Sequence, residues 1–233
     1  MAYYLGGYYL IRPRPIEFGS QASKLVYTCS DCINDSLLDH WSYGWTTDNN
    51  RNIEHIKERY TLTSDQIISI RDWVDKAFEK KRIGWIDVFR DLDTVLEYRE
   101  MFFKHIPGLQ ILILYFEEAE MDAIVKEFKP KKEKEGACGL YENLNRKVIE
   151  VESGSEFLIG FDIIGIESGG GFHTFHCHDL ADNISQRFSL QINGRGLFTS
   201  IGNPTEVAEY MNDPENGFEP VPWFICKTKI IVE

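Results

Sequence analysis

Leu109-Gln-Ile-Leu-Ile-Leu-Tyr-Phe116 is almost continuously apolar, with Pro107-Gly108 before it and Glu117-Glu118 after it. Unbroken apolarity over so short a run marks a strand covered on both faces. Helical patterns stand on either side. Upstream, Leu92, Val95, Leu96, Arg99 and Phe103 mark one stripe of a helix over 92–105, which Pro107-Gly108 stops. Downstream, Met121, Ile124, Val125 and Phe128 give an amphipathic helix over 117–129.

Moving toward the N-terminus, residues 63–81 carry the clearest helix. Thr63 and Gln66 have capping-box spacing, Ile67, Ile70, Val74 and Phe78 recur at helical intervals, and Lys80, Lys81 and Arg82 suit the dipole at its end. Residues 3–11 are aromatic and aliphatic around Gly6-Gly7, which predicts a bulged strand or two short ones. Arg12-Pro-Arg-Pro15 ends that run. Residues 25–28 and 37–45 are further strand candidates, and 46–52 is a polar loop.

Lys129-Pro-Lys-Lys-Glu-Lys-Glu-Gly136 breaks the pattern and reads either as a linker or as a solvated loop. Beyond it, 157–166 is a buried strand interrupted by Gly160 and Gly165, and 172–178 is a short strand. Asp179 caps a helix bearing Leu180, Ile184 and Phe188, and Asn193-Gly-Arg-Gly196 makes a turn. Asn203 and Pro204 open another helix, and 223–232 closes the chain as a strand. No internal repeat stands out. The expected class is α+β, with mixed or antiparallel sheet and helices packed on one side. The expected organisation is an N-terminal lobe over 1–130 and a C-terminal lobe over 137–233, or one domain spanning both.

The chain has 233 residues and a formal net charge of −12. That balance disfavours nucleic acid and anionic membrane surfaces, and it suits a basic protein partner. No apolar run approaches the roughly 18 residues of a membrane helix. The five cysteines, Cys29, Cys32, Cys138, Cys177 and Cys226, are few and odd in number. With an N-terminus lacking a basic region and a cleavage site, they point to reduced thiols in a cytoplasm.

Candidate chemistry concentrates in Gly169-Gly-Gly-Phe-His-Thr-Phe-His-Cys-His-Asp179. On a strand, His176 and His178 share a face, roughly 6.5–7 Å apart, and one zinc or iron ion can accept both. Asp179, Asp162 or Glu167 could add a third ligand. The competing reading is that these histidines serve backbone or carboxylate partners. Cys29-Ser-Asp-Cys32 lacks the second ligand pair of a zinc site and the following helix of a redox motif. No phosphate loop or nucleophile elbow is present. Trp41, Tyr43 and Trp45 are candidate partner-binding aromatics, with core packing as the alternative.

Phe157-Leu-Ile-Gly-Phe-Asp-Ile-Ile164, Phe172-His-Thr-Phe-His-Cys177 and Asn193-Gly-Arg-Gly-Leu197 sit in an acidic, aromatic-rich α+β chain. In this texture the chain resembles the immunity proteins of bacterial polymorphic toxin systems. The resemblance carries no residue-level role. It implies a protein without catalysis or cofactor that blocks a toxin, often a basic nuclease, by complementary charge. The alternative expectation is a metal-dependent enzyme at His176 and His178.

Overall fold

The computed structural model describes residues 2–15, 25–30, 33–36, 57–84, 88–132, 139–151, 154–167, 171–177, 181–202 and 204–231. In chain order the strands are β1 (Tyr3–Arg12), β2 (Arg14–Pro15), β3 (Leu25–Val26), β4 (Asp35–Ser36), β5 (Gln110–Glu117), β6 (Glu156–Ile166), β7 (Phe172–Thr174) and β8 (Trp223–Ile231). The helices are α1 (Ser64–Glu79), α2 (Leu92–Tyr98), α3 (Glu118–Glu127), α4 (Gly139–Leu144), α5 (Ala181–Arg187) and α6 (Pro204–Asn212). Six strands form one sheet in the order β4-β1-β5-β8-β6-β7, and β2 pairs with β3 apart from it. Neighbours in the sheet run antiparallel. The class is α+β, and the sheet takes strands from both sides of the charged run at 129–136.

The apolar run becomes β5, a central strand that lies between β1 and β8 and is buried on both faces. Ile111, Ile113 and Tyr115 face a cluster built with Ile67, Ile70 and Val74 of α1 and Val95 and Tyr98 of α2. Leu112, Leu114 and Phe116 face the opposite cluster, with Met121 and Ile124 of α3 and Leu140 and Leu144 of α4. Helices therefore cover both faces of the sheet, where one side was expected. Alternation along a strand makes this necessary once both of its faces are apolar. A third cluster joins Ile163, Trp223 and Ile225 to Ile184 of α5 and Val207 of α6.

Local signals place the helix starts. Thr63 accepts from the Gln66 backbone N–H at 3.2 Å, and Gln66 reaches back to the Thr63 N–H at 2.8 Å. Thr63→Ala is expected to cost about 1 kcal/mol, read as a lower urea midpoint with unchanged m-value. Asp91 caps α2, and the helix expected over 92–105 passes after Tyr98 into a π-helical turn, Arg99–Phe103. The strand expected over 25–28 shrinks to β3. The 37–45 candidate and Asn203 lie outside the described residues.

The two halves of the sheet are built alike, although no repeat stands out in the sequence. β1 has a bulge between Leu5 and Gly7 opposite β5, and β6 has one between Leu158 and Gly160 opposite β8. Both bulge glycines have positive φ, +138° at Gly7 and +145° at Gly160. Directly after them, Tyr8 exchanges two backbone hydrogen bonds with Phe89, and Phe161 does the same with Phe198, all at 2.9 Å. Each partner makes a second bridge, Phe89 with Ile83 and Phe198 with Ile192. Farther along, Ile11 pairs with Ser36 of β4, as Ile164 pairs with Thr174 of β7. Gly7 pairs with Leu114, Gly160 with Thr228, and Leu114 with Thr228. A pseudo-two-fold axis thus passes through that last pair.

Candidate functional site

The histidine cluster does not continue as a strand. β7 ends at Thr174, and residues 175–177 turn inward. Phe175 stacks on Phe198, with ring centroids 4.4 Å apart. His176 follows it into the interior, and its Nε2–H donates to the Gly196 carbonyl. That bond fixes the proton on Nε2 and leaves Nδ1 as the nitrogen with the lone pair. His173 pairs instead with Glu167 at 2.8 Å. Asp162 is buried, accepting from the Ile163 N–H and the Thr174 hydroxyl, both at 2.9 Å. His178 and Asp179 lie outside the described residues. Among the described residues no group of three or more His, Cys, Asp or Glu could hold a metal ion. Cys29, Cys177 and Cys226 are free and buried, while Cys32 and Cys138 fall outside the described residues.

Burial gives these groups opposite titration behaviour. It pushes the Asp162 carboxyl up to about 7, against the bonds from Thr28, Thr174 and the Ile163 N–H. It pulls His176 down to about 4, against the Gly196 carbonyl and the charge of Asp182. The Asp162 contribution is therefore complete below its ordinary 3.8 and is lost as pH rises through about 7. The His176 contribution is complete above its ordinary 6.5 and is lost as pH falls through about 4. Between those limits the two slopes oppose each other. Asp162→Asn is expected to make stability rise more steeply with pH than in the parent chain, and His176→Gln to do the reverse. Urea unfolding between pH 4 and pH 7 reads both; parallel curves for the two variants would contradict the assignment.

A second constellation lies where β1 and β6 begin and β5 and β8 end. Lys227 and Lys229 point to the face opposite Cys226 and Thr228. The Lys227 Nζ lies 2.7 Å from both Glu150 carboxylate oxygens. The Lys229 Nζ reaches Glu150 at 2.6 Å and Glu156 at 3.1 Å. The Tyr115 hydroxyl donates to Glu156 at 3.2 Å, and Lys227 sits 4.4 Å from the Tyr3 ring centroid. All four charged side chains are at most 16% exposed. Burial, followed by the Glu156 charge, pushes the nearby Tyr8 phenol up to about 12. The network anchors two segments: Glu150 holds residues 148–150 beside β1, and Glu156 holds the start of β6.

Apolar side chains emerge on both anchored segments. Ile149 is 55% exposed, Val151 73%, Phe157 56% and Leu158 45%. Large apolar groups thus stand exposed beside satisfied charges on two sides of the sheet, Ile149 outside β1 and Phe157 and Leu158 on β6. Sequence reading missed these exposed groups. The exposed residues lie at the start of a strand that otherwise reads as core, and the lysines that hold it alternate with apolar residues in the last strand. Trp41, Tyr43 and Trp45, the aromatics expected to bind a partner, lie outside the described residues.

No helix among the described residues is long and apolar enough to cross a membrane. No protein-family model, curated protein or solved structure matches the chain.

Proposed function

We propose that this chain is a cytoplasmic binding protein of the immunity type, which neutralises a basic protein partner without catalysis or cofactor. The observation that carries this reading is the concentration of exposed apolar side chains in the short stretch of chain that also bears Glu150 and Glu156. Of the eight large hydrophobics that are exposed among the described residues, five (Val148, Ile149, Val151, Phe157 and Leu158) fall within residues 148–158. Single exposed apolar residues are ordinary, whereas several large ones on hydrogen-bonded strand edges favour association. The net charge of −12 supplies long-range attraction for a cationic partner.

The test is calorimetric binding of the purified chain to the product of the gene directly upstream, at low and high salt. An affinity that falls steeply with salt supports the reading. An upstream product that is not cationic, or an affinity indifferent to salt, counts against it. Stoichiometric zinc or iron in untagged protein would overturn it in favour of a metal-dependent enzyme at His176 and His178.

A further inference from the structure

The pseudo-symmetry exposes a difference between the two halves. Outside β1, residues 148–150 lie as an added antiparallel strand. Ile149 bridges Tyr4, the Leu5 N–H donates to the Val148 carbonyl, and the Glu150 N–H donates to the Tyr3 carbonyl, both at 2.8 Å. The bulge register equates Tyr4 with Phe157, Leu5 with Leu158 and Tyr3 with Glu156. The rest of the outer edge is filled in both halves. Phe161 pairs with Phe198 where Tyr8 pairs with Phe89, and β7 pairs with β6 where β4 pairs with β1. Only the counterpart of residues 148–150 is missing: among the described residues no strand flanks Glu156–Leu158 on that side. Leu5, under its added strand, is 9% exposed, whereas Leu158 is 45% exposed.

We infer that this open edge of β6 receives an extended segment of a cationic partner protein as an added antiparallel strand. The inference rests on the binding reading above and names its contact. The Leu158 N–H and the Glu156 carbonyl supply the main-chain bonds, as Leu5 and Tyr3 do in the other half. Phe157 then meets an apolar residue of the incoming segment, in the place that Ile149 takes beside Tyr4. The edge carries no lysine or proline to repel such a strand. A second copy of this chain is the less suitable occupant. Two acidic molecules of this net charge repel, and the open run before the Gly160 bulge is too short to hold them together by itself.

The experiment uses the full chain and a short synthetic peptide of alternating valine and lysine, followed by amide hydrogen exchange. The peptide is expected to slow exchange at the Leu158 amide about tenfold or more. The same peptide N-methylated along one edge, or with glutamate replacing lysine, is expected to lose most of that protection. Phe157→Asp should lose it too while keeping the far-ultraviolet spectrum. Equal protection by the N-methylated peptide, or none by the parent peptide, overturns the inference. If Leu158 stays unprotected while the upstream product still binds in a salt-sensitive manner, this edge is rejected and the binding reading stands. Protection that instead rises with protein concentration alone assigns the edge to a second copy and overturns the partner assignment.

Discussion

Gly7→Ala is expected to lower the unfolding free energy by about 3 kcal/mol or more, among the largest effects available to one methyl group in this chain. Two penalties combine. At φ +138° the backbone sits where side chains are strained. The added Cβ would also lie 2.2 Å from Val88 Cγ1, 2.7 Å from Asn143 Nδ2 and 2.8 Å from the Phe89 carbonyl oxygen. None of these can retreat freely. Val88 is in the core, Phe89 is tied to Tyr8 by two hydrogen bonds, and Asn143 donates to the Gly6 carbonyl at 2.8 Å.

The pseudo-symmetry supplies an internal comparison. At Gly160 the added Cβ would meet Leu197 Cβ at 2.7 Å, the Phe198 carbonyl oxygen at 2.8 Å and Asn193 Nδ2 at 3.0 Å. The pattern is the same, and so is the asparagine bond to the carbonyl before the bulge glycine, here Ile159 at 2.7 Å. Gly160→Ala should therefore destabilise by the same mechanism, but less. Gly108→Ala is the control, since φ is +78° with nothing within 4 Å of the added atom; it should cost only about 1 kcal/mol of backbone strain. Urea unfolding ranks the three. Should Gly7→Ala prove no worse than Gly108→Ala, the bulge is not the tight junction described.

These glycines also show how far the sequence could be read. The bulge in β1 was legible, because Gly6-Gly7 interrupts an otherwise ideal strand. The repeat was not. Tyr4-Leu-Gly-Gly-Tyr-Tyr-Leu-Ile11 and Phe157-Leu-Ile-Gly-Phe-Asp-Ile-Ile164 match in shape and polarity, yet so short a pattern recurs by chance in any aromatic-rich chain. What makes them equivalent is register against β5 and β8, a long-range property. The helix α1 was legible because its cap and stripe are local. The helix α4 was not, since it opens at Gly139, a poor helix former. There an added Cβ at Gly84 would come within 2.3 Å of the Gly139 Cα, so close backbone packing explains Gly84. The histidine cluster was conspicuous as composition, but the turn after Thr174 sends His176 inward, and alternation no longer applies. Residues 148–150 gain their importance from Glu150, whose lysine partners lie in the last strand and leave no local trace.

Glu150→Ala is the second large effect, expected to cost about 3 kcal/mol. The glutamate is 13% exposed and is the shared acceptor of two lysines. Removing it leaves Lys227 without its carboxylate and Lys229 with Glu156 alone. Stripping one partner from a buried ion network is far more harmful than replacing the network, because an uncompensated charge stays in poor solvent. Glu150→Ala combined with Lys227→Met should therefore recover part of the loss, giving a favourable coupling in the double-mutant cycle. The pH dependence has a definite sign. Burial raises the Glu150 carboxyl, but the bonds and charges of Lys227 and Lys229 outweigh it and hold the group below its ordinary 4.5. Its contribution is thus complete above 4.5 and is lost as pH falls through the depressed folded value. The stability gap between parent and Glu150→Ala should stay constant from neutral pH down to about 5 and close only in stronger acid. Because Glu150 tethers residues 148–150, the same substitution should speed exchange of the Leu5 amide, which donates to Val148. A gap that is already closed at neutral pH, or a Leu5 amide that exchanges as slowly as before, would mean that the network does not hold the strand in place.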